Sequence, residues 1–216
     1  MLYASVDGQR RLATTSGELG ICPGCGGAVR ARCGTVKVNH WAHVSGDECD
    51  SWYEPITQWH LKWQKLFPEK YREVVIDEHR ADIHIPGNDV WPNITIEVQH
   101  SSISWDDVME RENFYKTHGV LFWVFDAREW GKNFNQLFRR LYKKTKHCKL
   151  GKFSFEYADS MVRWKYKRKS LIDIDSWCFF DIGKNYLVCF IPSHKNSADC
   201  FSGYLISPKD IFRFIK

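Results

Sequence analysis

The chain has 216 residues, is 44% hydrophobic and carries ten Trp, so it can bury a core and is not a disordered polyelectrolyte. No run approaches the roughly 18 uninterrupted apolar residues of a membrane span, and the segment from Met1 to Arg11 lacks an apolar stretch followed by a small-residue cleavage site; a cytoplasmic protein with no membrane partner is expected. The net charge of +5 is unevenly spread: residues 1–127 carry 12 Lys and Arg against 18 Asp and Glu, residues 128–169 carry 14 against 3, and residues 170–216 carry 5 against 5. Such a basic band is what a polyanion would meet, because Lys and Arg neutralising phosphates supply most sequence-independent nucleic-acid affinity.

Residues 2–20 read as a short β segment and a polar turn marked by Thr14, Thr15, Ser16 and Gly17. Cys22-Pro-Gly-Cys25-Gly-Gly then has the spacing and the glycines needed to aim two thiolates at one ion. After a hairpin predicted from Val29 to Val38 come His40-Trp-Ala-His43 and Cys49. Clustered Cys with two His, in a reducing compartment, point to a closed structural Zn²⁺ site rather than disulfides. Cys22 and Cys25 supply half of it, His40 and His43 are the expected second pair, and Cys49 is the substitute, ahead of Cys33.

A helix is predicted over residues 51–67, where Ile56, Trp59, His60, Trp63 and Phe67 recur at helical steps until Pro68, with Glu54 off the apolar stripe and His60 a hydrogen-bonded residue of the buried side. Strands follow near 72–77, 80–85 and 93–99, with Pro86 to Asp89 as a turn. Ser104 and Asp107 predict the capping box of a second helix that stops at His118-Gly119. Val120 to Phe125 suits a strand covered on both faces. Phe134, Leu137, Phe138, Leu141 and Tyr142 trace one face of a predicted third helix, with Arg139, Arg140, Lys143, Lys144 and Lys146 opposite. The remainder reads as β-rich, with a hairpin around Gly183 between strands at 179–181 and 186–191. Three parts result: a zinc-binding module at 1–50, a mixed α/β core at 51–150 and a β-rich C-terminal subdomain at 151–216.

Asp82 ends one strand, and Glu97 and Gln99 lie two apart on another, so strand alternation is expected to put their side chains on one edge. Oxygen donors of this kind suit Mg²⁺ or Mn²⁺ and point to metal-assisted cleavage of a phosphodiester. Glu54 is the further acid, and Arg80, Arg111 and Tyr115 are candidates for contacting phosphate.

The run of Cys-Pro-Gly-Cys-Gly, His40-Trp-Ala-His43, Glu54 with Thr57 and His60, Arg80-Ala-Asp82, Glu97-Val-Gln99 with Ser101 or Ser102, and Glu110-Arg111 with Tyr115 resembles the competence protein CoiA-like family, within the restriction-endonuclease-like PD-(D/E)XK nuclease superfamily. The resemblance covers roughly residues 20–128. It implies a restriction-endonuclease-like mixed sheet flanked by helices, Asp82 and Glu97 as metal ligands, Glu54 as an auxiliary acid and DNA as the partner, in uptake, recombination or defence-related processing. Self-association or a recombination-protein partner stays open. Gln99 stands where the family more often has Lys. Because an amide neither accepts nor gives up a proton near neutrality, a silent adaptor keeping the nuclease scaffold is the alternative to an active deoxyribonuclease. A zinc hydrolase built on the Cys/His cluster is disfavoured, because the spacing offers no adjacent acid to serve as base to a metal-bound water.

Overall fold

The computed structural model describes residues 1–130, 168–171 and 173–183 in full, and the backbone alone of the strands at 145–150, 153–158, 162–163, 187–191 and 200–206. It divides into two units, Met1–His84 and Ile85–Lys216.

The first unit begins with β1 (Tyr3–Val6) and β2 (Gln9–Leu12), joined at Asp7-Gly8, both with positive φ, as a tight hairpin turn with Asp-Gly at its centre favours. β3 (Leu19–Ile21), β4 (Ala28–Arg32) and β5 (His40–His43) complete an antiparallel sheet in the order β2-β1-β3-β4-β5. One face closes over Ala4, Val29, Ala31 and Trp41. Gly20 is required there: a Cβ would stand 3.2 Å from both the Trp41 ring and the Ala4 methyl.

The helix α1 is shorter than the periodicity predicts, Gln58–Gln64. Thr57 adopts extended backbone and accepts the His60 amide hydrogen on its hydroxyl, so the cap starts the helix there, downstream of Pro55. The expectation that Glu54 rides on this helix is corrected accordingly: it precedes the cap in irregular chain. β6 (Arg72–Ile76) and β7 (His79–Ile85) form a hairpin in which Val75 faces Arg80 and Ile76 faces His79. Along β7, His79, Ala81 and Ile83 are buried while Arg80, Asp82 and His84 lie on the half-buried side.

Asp50 ties the end of the Cys/His segment to this hairpin. Its Oδ1 accepts the Trp52 amide at 3.0 Å and meets His79 Nδ1 at 3.0 Å, its Oδ2 accepts the Arg80 amide at 2.9 Å, and the Trp52 ring stacks on His79 at 3.3 Å. A second buried acid, Glu73, accepts the Leu2 amide at 2.6 Å on Oε2.

In the second unit, β8 (Ile94–Gln99) is buried at every position and pairs in parallel with β9 (Val120–Asp126), the connection being α2 (Trp105–His118). The Ser104–Asp107 capping box forms as predicted, and Gly119, at φ +143°, ends the helix where any Cβ would strike the Asn93 carbonyl. β9 pairs in parallel with β13 (Trp177–Asp181). With β10 (Thr145–Leu150), β11 (Phe153–Ala158), β14 (Leu187–Ile191) and β15 (Cys200–Ile206), the strand order is β10-β11-β15-β14-β13-β9-β8, and β12 (Val162–Arg163) pairs β15. The predicted hairpin around Gly183 is present as β13 and β14, with Phe179 opposite Cys189. The predicted third helix lies outside the described residues except at Lys146, which falls in β10 and not in a helix. No described helix is long and apolar enough to cross a membrane.

Removing the Asp50 carboxylate orphans two backbone amides and His79 in a buried setting. Asp50→Ala is expected to lower unfolding stability by roughly 2–4 kcal/mol, read from urea denaturation followed by Trp fluorescence. An unchanged midpoint would show that this network carries no weight.

Candidate functional site

The chain from Cys22 to Gly27 turns back on itself, with the Cys22 amide donating to the Gly27 carbonyl at 2.8 Å and the Gly26 amide to the Cys22 carbonyl at 3.0 Å. Gly26 takes φ +72°, and the Gly27 amide donates to Cys25 Sγ at 3.3 Å. The turn meets the ends of β5 and of the Cys49 loop, so that one donor atom each from Cys22, Cys25, His43 and Cys49 lies within 4.8 Å of the others. Cys22 Sγ and Cys49 Sγ are 3.7 Å apart, and Cys25 Sγ is 3.3 Å from His43 Nε2. The edges of a tetrahedral zinc site, with Zn–S near 2.3 Å, are about 3.8 Å between sulfurs, so these four residues have the geometry and chemistry to hold such an ion. Behind the ring, Glu48 Oε2 lies 3.5 Å from His43 Nδ1, near it but without a hydrogen bond between them.

The structure brings Cys49 into this cluster and leaves out His40, against the expectation that His40 and His43 act as a pair. Strand geometry explains it: positions three apart on β5 face opposite ways, and His40 turns to the other side, with Nδ1 2.8 Å from the Val38 carbonyl. Cys33 also lies outside the cluster. Without a metal the thiols are unequal. The Gly27 amide and then His43 lower the Cys25 pKa to about 7, while burial and then Cys22 push Cys49 up to about 12.

Asp82 belongs to the first unit. Its Oδ1 is 2.9 Å from His60 Nε2 and 3.4 Å from the Nε2 of Gln64, which also reaches the Asp82 carbonyl. His60 and Gln64 are four apart on α1 and so share the face turned to β7, and both are buried. Gln64 escaped the sequence reading, although its spacing from His60 carried the signal. Arg80 gives its backbone amide to Asp50. Burial opposes its charge, but Glu73 and Asp50 outweigh this and hold its pKa above the ordinary value, so the guanidinium is matched within the unit.

Glu97 and Gln99 belong to the second unit, two apart on β8 and both buried. Glu97 Oε2 accepts from Arg111 Nη1 at 3.0 Å and Oε1 accepts the Tyr115 hydroxyl at 2.9 Å, from successive turns of α2. Arg111 and Tyr115 are themselves buried, so their polar ends serve the carboxylate, a placement different from the expected contact with phosphate. Gln99 Nε2 donates to the Ser101 carbonyl at 3.2 Å and hydroxyl at 3.1 Å. Next along α2, the fully buried Glu112 accepts from Trp123 Nε1 at 2.9 Å, fixing helix to strand; it too went unread. Arg139, Arg140, Lys143 and Lys144 lie outside the described residues.

Comparison with protein families gives two matches. Residues 11–51 match the N-terminal domain of competence protein CoiA, and residues 56–197 match the nuclease-like domain of competence protein CoiA. No curated protein and no solved structure matches the chain.

The purified protein is expected to hold one zinc per chain, as is His40→Ala, while His43→Ala and Cys49→Ala lose most of it; elemental analysis checks this, and full retention by both latter variants would refute the ligand set. Because Cys49 is protonated in the metal-free protein at neutral pH, zinc must displace at least one proton. Acid competes with the metal, so apparent affinity should rise at least about tenfold per pH unit through neutrality in competition with a chromogenic chelator. A flat profile would contradict this.

Proposed function

The chain belongs to the competence protein CoiA family, and from that premise we propose that it is a Mg²⁺- or Mn²⁺-dependent deoxyribonuclease acting in DNA uptake, recombination or defence-related processing. The observation that carries the reading is Glu97, an acid on a strand buried at every position, with a guanidinium on one oxygen and a phenol on the other. Buried ion pairs are a poor source of stability, since apolar residues of the same volume often do as well or better. A charge kept in the core at such cost, on a strand that also presents Gln99 two residues on, supports a working site.

In this reading Asp82 and Glu97 are the metal-binding carboxylates, and their hard oxygen donors suit such an ion. When bound, Mg²⁺ or Mn²⁺ supplies Lewis-acid polarisation of the phosphoryl group and acidifies water. The protein's own groups do the rest. His60 and Gln64 fix the rotamer of Asp82, Arg111 and Tyr115 fix the two oxygens of Glu97, and Glu54 serves as an auxiliary acid. Gln99 orients water through its amide, but it neither removes nor returns a proton. A structural zinc site at Cys22, Cys25, His43 and Cys49 stiffens the N-terminal unit. The basic stretch at residues 128–169, with Arg139, Arg140, Lys143 and Lys144, meets the DNA backbone.

The second reading, a catalytically silent nucleic-acid-binding or protein-interaction adaptor, is favoured by Gln99, whose amide is engaged by Ser101 in place of a cationic Lys. Incubation with single-stranded, duplex and branched DNA in Mg²⁺ or Mn²⁺ separates the two. A catalytic metal is worth several kcal/mol, so Asp82→Ala and Glu97→Ala should each cut cleavage by about a thousandfold or more while DNA binding persists. Cleavage untouched by both substitutions would end the nuclease reading.

A further inference from the structure

One face of the first unit's antiparallel sheet closes on the core described above; the other is covered at its β1 end, where Tyr3 is buried beside Ile56 and Leu61, and left open along β3 and β4. Pairing of Leu19 with Arg30, Ile21 with Ala28, Arg30 with Ala42 and Arg32 with His40 places these residues together on the opposite face, because directly paired positions point the same way. There the face is open: Leu19 is 58% and Ile21 48% exposed, and Ala28, Arg30 and Arg32 are exposed as well. Leu19 and Ile21 are large aliphatic side chains on a strand flanked by neighbours on both sides, where a solvated sheet face ordinarily carries polar residues. Among the described residues neither Arg30 nor Arg32 has an ion-pair or hydrogen-bond partner. The strand positions of this face include no acidic residue, while His40, absent from the metal cluster, sits beside Arg32.

We propose that this face, with Arg30 and Arg32 beside Leu19 and Ile21, is a docking surface for a nucleic-acid strand. The two guanidinium groups stand on alternate residues of one strand, about 7 Å apart at their Cα atoms, a spacing commensurate with neighbouring phosphates of an extended backbone. Guanidinium groups bind phosphate by paired hydrogen bonds, and two of them uncompensated by any acid fit a polyanion better than a protein surface of mixed sign. Leu19 and Ile21 then lie under sugars and base edges. No aromatic side chain is exposed in this row, so the contact carries little base preference and its affinity is mainly electrostatic. The inference deepens the nuclease reading, on which its choice of partner rests, and adds a contact surface remote in sequence from the basic stretch.

The test is fluorescence anisotropy of the full chain with labelled single-stranded and duplex DNA, with Ca²⁺ replacing Mg²⁺ so that binding is read without cleavage, across a salt series. Arg30→Gln with Arg32→Gln should weaken binding roughly tenfold and reduce the slope of log K against log salt by about two, one per lost phosphate contact. Leu19→Ser with Ile21→Ser should weaken binding with the slope kept. All four positions are exposed, so zinc content and thermal unfolding of the variants should match the parent and separate lost contact from lost fold. An unchanged affinity and slope in the double arginine variant overturns the proposal, even if the parent protein cleaves DNA. A reduced slope in a protein that never cleaves supports the docking surface and sinks only the nuclease reading. If the serine variant instead shifts the sedimentation of the protein and leaves DNA binding intact, the face joins copies of the chain and the proposal fails.

Discussion

The N-terminal unit depends on the carboxylate of Asp50. It follows Cys49 directly, and its oxygens accept from the Trp52 and Arg80 amides while also meeting His79, so that the metal-ligand loop and the β6–β7 hairpin share one buried anchor. Burying a carboxylate costs its hydration; here the hydrogen bonds it accepts and the nearby Arg80 charge offset that loss. The consequence runs in both directions along the chain. Cys49 is delivered to the other three donors, and the strand carrying Asp82, two residues beyond Arg80, is held where His60 and Gln64 reach it.

The second unit solves a similar problem around Glu97. A carboxylate at the centre of a fully buried strand needs donors on both oxygens, and a helix crossing above the strand is an economical source, since residues four apart sit one turn above the other. Arg111 and Tyr115 use this geometry, and Glu112, between them in sequence, turns to Trp123 on the neighbouring strand. One helix thus both positions the acid and locks itself to the sheet. Capping at Ser104 and the stop at Gly119 fix the helix ends, so the donors have little freedom to drift.

Much of this was legible in the residues. Alternation along 79–85, the continuous apolar run after Gly119 and the Ser104 signal each depend on local periodicity or capping, which a sequence displays directly. The start of α1 was misplaced because apolar spacing extends past the point where Thr57 and Pro55 end helical backbone. The ligand set was half legible. Cys-x-x-Cys is a local signal, but the choice between His40 and Cys49 turns on which side of β5 faces the turn, and the parity of His40 and His43 already forbade both from pointing the same way. Arg111 and Tyr115 illustrate a different obstacle. Their types suit a phosphate equally well, and only burial beside Glu97 shows that an acid on the adjacent strand takes them.

The two acids also differ in a way that bears on the proposed chemistry. Glu97 is paired with a guanidinium that stays charged at any working pH, so its negative charge is already largely compensated, whereas Asp82 faces an imidazole and an amide. A compensated carboxylate attracts a divalent cation less strongly than a bare one, and Mg²⁺ is reluctant to shed its waters. On the nuclease reading, then, affinity for the ion rests more on Asp82 and on the substrate's own phosphate than on Glu97. On that reading Glu97 contributes direction, its oxygens fixed by two donors so that a reacting group is met in one orientation.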